Sequence, residues 1–416
     1  MILIPSAPES VAFVGARILP VSAPEIARGT LVVSGGKIVA VGPDGSVTIP
    51  AGARRVLAGG KTIVPGIVDT HSHVGGPAGA DSSGPLAPEV RVVDSVNPRS
   101  PGFLRAAAGG VTVLNVMPGS GHLMSGQTIY LKNRRDPKTI ADLAMADPKR
   151  PGRFLGGMKM ANGTNSIRSG GGSFPGTRGK SAALVRDLFL RAKKWMADPK
   201  REPDESMEAL AEILRGERVV HHHTHRADDI ATVLRLKKEF GFRVVLHHVS
   251  EAALAIDAIA EEKTPCSIIV LDSPGGKLEA MGISPVNGAA LEARGVPIAL
   301  HSDDGITDSR LLFRNAALMV RGGMSRAGAL RALTLSGAEM LDLADRTGSL
   351  TPGKDADFLV LSGDPFALMT KVEQTWVDGL KVFDRQDPKD RLAATGGLGN
   401  RPDVNAHTCC ALEAGE

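Results

Sequence analysis

RVVHHHTHRADDIATVLRLKKEFGFRVVLHHVSEAALAIDAIAEEK, residues 218–263, sets two short apolar runs that end in histidines against two segments of helical period. The runs RVVHHHTH and RVVLHHVS are short and β-branched, as buried strands are. ADDIATVLRLKKEFG closes at Gly241, a natural C-cap, and SEAALAIDAIAEEK opens with Ser250 in the place of an N-cap. Strand, helix, strand, helix predicts parallel strands joined by crossover helices.

The same texture extends in both directions. TIVPGIVDTH, GVTVLNVMP, QTIYLK and LGGMKMA precede the quoted stretch, and CSIIVLD and PIALHSDD follow it. With the two central runs this makes about eight strands, the number a closed (β/α)8 TIM barrel requires. SPVNGAALEARG and SRLLFRNAALMVRGG supply further helices. Two Gly/Ser/Pro-rich stretches, 74–102 and 162–180, follow strands and so fall at the C-terminal face, as substrate lids or as tolerated surface insertions. Residues 1–64 read instead as short antiparallel strands (VAFVGARILP, TLVVSGGKIVAVG, RRVLAGGKTIV), and DADFLVLSG and VEQTWVDGLKVF restore that texture near the other end. One small β-domain is therefore expected from 1–64 with 350–385. An α/β barrel over 65–349 and a loose tail over 386–416 complete the division.

Composition bounds the rest. The 416 residues are 42% hydrophobic and 23% charged, an ordinary globular balance. A net charge of +4, without a dense basic run, argues against a nucleic-acid partner, and nothing approaches a membrane span. Aromatics are only 3%, which leaves few stacking platforms for bases or sugars. Three cysteines (Cys266, Cys409 and Cys410) lack a CxxC pair, and the N-terminus lacks a signal-peptide pattern, so a cytoplasmic setting is expected. A small-molecule substrate follows, and a homo-oligomer is compatible with the sequence.

The chemistry sits at strand ends. His71 and His73 flank Ser72, and strand alternation sends both imidazoles to one face. In HHHTH, His221, His223 and His225 share a face and His222 opposes them, with one or two of the three at the depth of a metal. LHHVSE puts His247 and His248 on opposite faces, so at most one enters the barrel. His301 and Asp303 share a face at the last strand, while Asp304 opens the following loop. Singly each histidine is an ordinary hydrogen-bonded residue. Histidines ending the first, fifth and sixth strands, with an aspartate ending the eighth, make a metal site.

PGIVDTHSHVGG, HTHRADDI, LHHVSEA, IALHSDDG and the exit TLSGAEMLDLADRTGSLTPGKDADFLVLSGDP resemble the amidohydrolase superfamily, within it the imidazolonepropionase-like and prolidase-like branch. The resemblance implies a distorted (β/α)8 barrel with a composite β-sandwich formed by both termini. It also implies a metal set of His71 and His73, His223 (HTHRADDI is similar to the family's HAHRADDI), His248, and Asp303 as ligand and catalytic base. His225 and His301 fall beside ligands and, with His122 of PGSGHLMSGQT, are candidates to meet substrate; His122 is equally a plain loop residue. Binuclear relatives carry a carbamylated lysine on the fourth strand, which points to Lys159. The alternative is a rim lysine that binds substrate. Where relatives read GEN, this chain has Gly163-Thr164-Asn165, one carboxylate fewer, which leaves one or two metals open.

A divalent metal on neutral imidazoles, with zinc best suited, lowers the pKa of water toward about 7. Asp303 would take the proton and return it to a leaving nitrogen, with His248 or His122 near the oxyanion. Hydrolysis of an amide or cyclic amide is expected; a mono-metal deaminase and a prolidase-like dipeptidase are the alternatives. Asp272, Lys277 and Arg310 lie at or after late strand ends without a spacing argument.

Overall fold

The computed structural model describes residues 10–77, 83–167, 174–270 and 277–395. The first strands are β1 (Val11–Ile18), β2 (Ile26–Ser34), β3 (Lys37–Pro43), β4 (Arg54–Leu57) and β5 (Thr62–Pro65). Then come β6 (Ile67–Ser72), β7 (Val111–Val116), β8 (Met124–Gln127), β9 (Ile129–Lys132) and β10 (Met158–Ala161). β11 (Val220–Thr224), β12 (Val244–His248), β13 (Cys266–Ile268) and β14 (Ile298–Leu300) precede β15 (Phe358–Leu361), β16 (Val372–Val377) and β17 (Leu380–Asp384).

Strands from both ends of the chain pair in one eight-stranded sheet, β17-β16-β15-β5-β1-β2-β3, with β4 also on β1. Its core is mainly aliphatic around one aromatic cluster: Phe13 meets the Phe358 ring edge-on at 5.1 Å, and Phe358 stacks on Trp376 at 5.5 Å. The other strands form a six-stranded sheet, β14-β13-β12-β11-β10-β8, and a three-stranded one, β6-β7-β9. β10 through β14 are parallel neighbours, as the quoted stretch predicts. Their residues are buried on both faces, which explains runs without polar alternation.

Two strand expectations need correction. TIVPGIVDTH is not one strand: β5 pairs with β15, and the chain passes at Gly66 into β6, which pairs with β7. Only glycine fits there, because a Cβ on Gly66 would fall 2.1 Å from Thr112 Oγ1. QTIYLK does not run parallel to its neighbours; β9 is antiparallel to β7, and β8 just before it is antiparallel to β10. An apolar run carries no direction, so pattern alone could not distinguish the two.

Helices Arg178–Ala197, Ala227–Phe240, Ala252–Glu261, Val286–Ala293 and Leu312–Arg321 follow or separate the strands. Gly241 ends the second in the left-handed region (φ 78), its N–H donating to the Lys237 carbonyl at 2.8 Å, as expected. Ser250, in contrast, caps nothing; the next helix has Glu251 at its N-cap position, without a side-chain cap. Of the segment after 386, the described residues include the helix Pro388–Thr395, whose buried Asp390 pairs with Arg135 at 2.8 Å, and residues 396–416 lie outside the described residues. Among the described residues no helix is long and apolar enough to cross a membrane.

One buried charge ties the three-stranded sheet to the eight-stranded one. Lys132 of β9 has no exposed side-chain surface and meets Asp355 at 2.9 Å, Asp378 at 3.2 Å, and Asp357. Thr347 donates to Asp357 as well, at 2.7 Å. Removing one partner of a buried ion group leaves the others uncompensated, which costs about 3–5 kcal/mol. Lys132→Met should therefore lower unfolding stability in urea by about that amount; a loss under about 1 kcal/mol would show that the pin carries little.

Candidate metal centre

β6, β10, β11, β12 and β14 deliver His71, Lys159, His223, His248 and Asp303 to one end of their sheets. His71 Nε2 lies 3.0 Å from Lys159 Nζ and 3.3 Å from Asp303 Oδ1. His73 Nε2 lies 2.9 Å from the same carboxylate oxygen, while its Nδ1 lies 2.8 Å from the Met117 carbonyl. A carbonyl only accepts, so Nδ1 donates to it, and Nε2 is the ring atom turned toward Asp303. Nε2 and the carboxylate oxygen thus sit at a distance that a proton or a bound cation can bridge.

The loop that carries Asp303 is clamped. Its N–H donates to the His71 carbonyl at 2.9 Å, and Ser302 donates to the buried Asp69 through Oγ (2.5 Å) and N–H (3.1 Å). Burial pushes the Asp69 carboxyl up to about 7, against the hydrogen bonds from Ser302 and the His71 N–H. Asp303 behaves oppositely. Burial works against its charge, but the hydrogen bond and charge of His73, then His301 and Lys159, hold it near 2. It is a carboxylate at neutral pH. Asp304 does leave the centre, turning to the buried Arg105 at 2.8 Å.

Among the described residues, three groups of side chains bring possible ligand atoms within 4.8 Å of one another: His71, His247 and His301; His223, His225 and His248; and His71, His248 and Asp303. The expectation that only one of His247 and His248 points inward is wrong. Both rings lie 5.0 Å from that of His71. Strand alternation fails because His248 (φ 71) and Val249 (φ 49) adopt left-handed backbone, a strained choice for valine. Nothing in LHHVS announces that turn, so His247 was missed. His221 lies deeper, 3.0 Å from His247 and 3.1 Å from the Tyr130 hydroxyl, leaving His223 and His225 at ligand depth. His225 and His301, placed beside the ligands by the sequence, stand inside these groups. Ser250, absent from the helix cap, lies 2.6 Å from His225 Nδ1, and Ser267 lies 2.7 Å from His301 Nδ1. His122 is buried in the β7–β8 connection and joins none of the three groups.

The donor set fits a metal. His71 Nδ1, His223 Nδ1, His225 Nε2, His247 Nδ1 and His248 Nε2 are buried with no hydrogen-bond partner among the described residues. Such atoms are costly unless something binds them. Burial, then neighbouring cationic groups, drives His71, His223, His247 and His248 well below their usual range. His221 and His301 fall to about 3 and His225 to about 4, burial being the first cause in each. Neutral imidazoles are what a divalent cation binds. Lys159 has no exposed surface and no carboxylate at ion-pair distance among the described residues, and burial lowers its amine to about 7.

The carboxylate missing at Thr164 is supplied from elsewhere. Glu279 is buried against this loop, and its Oε2 accepts the Thr164 N–H at 2.9 Å. Lys277 Nζ donates to Asn165 Oδ1 at 2.8 Å and lies 3.4 Å from His223 Nε2. Arg310 is occupied by Asp308 at 2.6 Å, and Asp272 lies outside the described residues.

The backbone arrangement recurs in an amidohydrolase from Thermotoga maritima, whose crystal structure superposes with a TM-score of 0.83 at 34% identity, covering 90% of this chain and all of that one. The chain belongs to the amidohydrolase family. The family's sequence pattern matches residues 197–383, and the chain's relatives indicate a hydrolase acting on carbon–nitrogen bonds. It is 29% identical to "Amidohydrolase tasK" of Hapsidospora irregularis over 81% of its own length but only 38% of that protein's. It is 25% identical to an imidazolonepropionase of Porphyromonas gingivalis over 86% of this chain and 89% of that one.

The buried imidazoles predict acid sensitivity in the metal-free chain. Unfolded histidines protonate near 6.5, whereas His221, His225 and His301 stay neutral in the fold down to about 3–4. The unfolded state thus binds more protons below about pH 6.5, and each such histidine removes up to ~1.4 kcal/mol of stability per pH unit. The histidine contribution is fully present above that pH, whereas Lys159, its amine lowered to about 7, makes stability fall as pH drops from about 10.5 to 7. Thermal melts of the metal-free protein should show a further steep fall in Tm from about pH 6.5 toward 4; a flat Tm through that window would mean that the rings take up protons in the fold.

Proposed function

We propose that this chain hydrolyses the C–N bond of an amide or cyclic amide in a small molecule, with Asp303 as proton carrier. The sheet formed by both ends is read here as the composite β-sandwich, and the other two sheets as one distorted (β/α)8 barrel. The single observation behind the chemistry is the contact between His73 Nε2 and the ionised carboxylate of Asp303, 2.9 Å apart and beside buried imidazole nitrogens that have no hydrogen-bond partner among the described residues. His71, His73 and Asp303 would hold one divalent cation, and His223 and His248 a second. When bound, such a cation, best zinc on imidazole ligands, supplies Lewis acidity and makes water acidic enough to react at neutral pH.

The chain's own groups do the rest. Asp303 is ionised and rigidly held, so it can take a proton from the attacking water and hand it to the departing nitrogen. Lys159, kept close to its neutral form by burial, can add carbon dioxide. An N–C bond would form, the nitrogen would lose a proton, and the resulting carbamate would add an anionic oxygen ligand to the centre. His225 and His301 are oriented by Ser250 and Ser267, leaving Nε2 of each facing the centre.

Asp303→Asn should lower kcat for amide substrates by about 10²–10⁴-fold while metal stays bound, as checked by steady-state rates alongside metal content. Undiminished turnover in that variant would remove Asp303 from the proton path. Ammonia release from aminated heterocycles, with no activity on amides, would reassign the site to deamination.

A further inference from the structure

His222 is the histidine of HHHTH that the metal centre does not use. It is 96% buried, and strand alternation turns its ring away from His221 and His223, toward the helices Arg178–Ala197 and Ala227–Phe240. There it borders a cavity of about 410 Å³, a size that small-molecule sites commonly have. Leu123, Ala161, Ala182, Val185, Val233 and Leu236 give the cavity apolar walls. None of the candidate metal ligands borders it.

Two acceptors on its wall are open. His222 Nδ1 donates to the His223 carbonyl at 3.0 Å, and Nε2 has no hydrogen-bond partner among the described residues. No carboxylate among them lies at ion-pair distance from this enclosed ring, so the ring is neutral and Nε2 carries a lone pair. Asn162 Oδ1 is likewise buried without a partner, while its Nδ2 donates to the Asp229 carbonyl at 3.1 Å. A buried acceptor without a donor is costly.

The polar groups nearby are already engaged with one another. Ser181 donates to the Thr177 carbonyl at 2.9 Å, and Thr232 to the Asp228 carbonyl at 3.0 Å. Arg178 is held by Asp229 at 2.8 Å, and Arg235 donates to the Thr232 hydroxyl at 2.8 Å. These two arginines face two aspartates, Asp228 and Asp229, which leaves the wall without net charge. Apolar walls, balanced charge and two open acceptors are complementary to a neutral molecule that brings a donor of its own.

We propose that this cavity is a second small-molecule site, separate from the metal centre, for a neutral ligand with an apolar body and an O–H or N–H donor. The donor satisfies His222 Nε2 or Asn162 Oδ1, and the apolar body packs between the two helices.

The test is a calorimetric titration of the full zinc-loaded chain with 2-phenylethanol and with its methyl ether, which keeps the apolar body and loses the donor. The alcohol should bind once per chain, with a Kd about fivefold or more below that of the ether. His222→Phe should remove that difference. Ala182→Trp, which fills the cavity from the helix, should abolish binding of both probes. The His223 carbonyl also accepts the Asn162 N–H at 3.2 Å, so zinc content is measured in each variant to separate a lost cavity ligand from a disturbed metal centre. Alcohol bound to the zinc instead would still bind Ala182→Trp, and that result overturns the proposal. Equal affinities for alcohol and ether in the wild-type chain, or no saturable binding of the alcohol, overturn it as well.

Discussion

Burial of uncharged imidazoles around one ionised carboxylate is the constraint on which the centre depends. Each ring has been taken out of water, which penalises its protonated form and leaves a lone pair. Asp303 has been taken out of water too, yet it stays charged because His73, His301 and Lys159 surround it. The contact between His73 Nε2 and Asp303 joins these two features, with His73 Nδ1 donating to the Met117 carbonyl. A set of buried lone pairs held this closely suits a cation among them.

The architecture serves that arrangement. Parallel strands end at a common rim, so residues distant in sequence meet there without long side chains. Where alternation would send a needed ring away from the centre, the backbone turns: His248, Val249 and Asp303 all have positive φ. Such strain persists only where surroundings fix it, and here Asp69, Ser302 and the His71 carbonyl hold the Asp303 loop. Lys132 joins the three-stranded sheet to aspartates of the chain's late segment.

Much of this was legible in the sequence because the relevant signals are local. Apolar runs followed by helical period gave the parallel strands, Gly241 gave a helix end, and HSH, HTH and HSDD marked strand ends whose side chains converge. What stayed hidden depends on three dimensions. Val249 is an unlikely residue for left-handed backbone, so the convergence of His247 with His248 could not be anticipated. Ser250 has the composition of a cap but is placed for His225. Glu279 restores a carboxylate near Thr164 from more than a hundred residues away, and Lys277 comes beside His223 only in the fold. The direction of β8 and β9 was likewise invisible, because antiparallel and parallel strands share one composition when both faces are buried.

The central claim is that these histidines, Asp303 and Lys159 form a metal centre, and metal content per chain tests it most directly. Elemental analysis after loading with zinc and removal of excess by gel filtration should find two metals per chain, falling to one or none in Lys159→Met. One metal in both proteins would leave the centre mononuclear and turn Lys159 into a substrate-facing group. No stoichiometric metal in the wild-type chain would contradict the account.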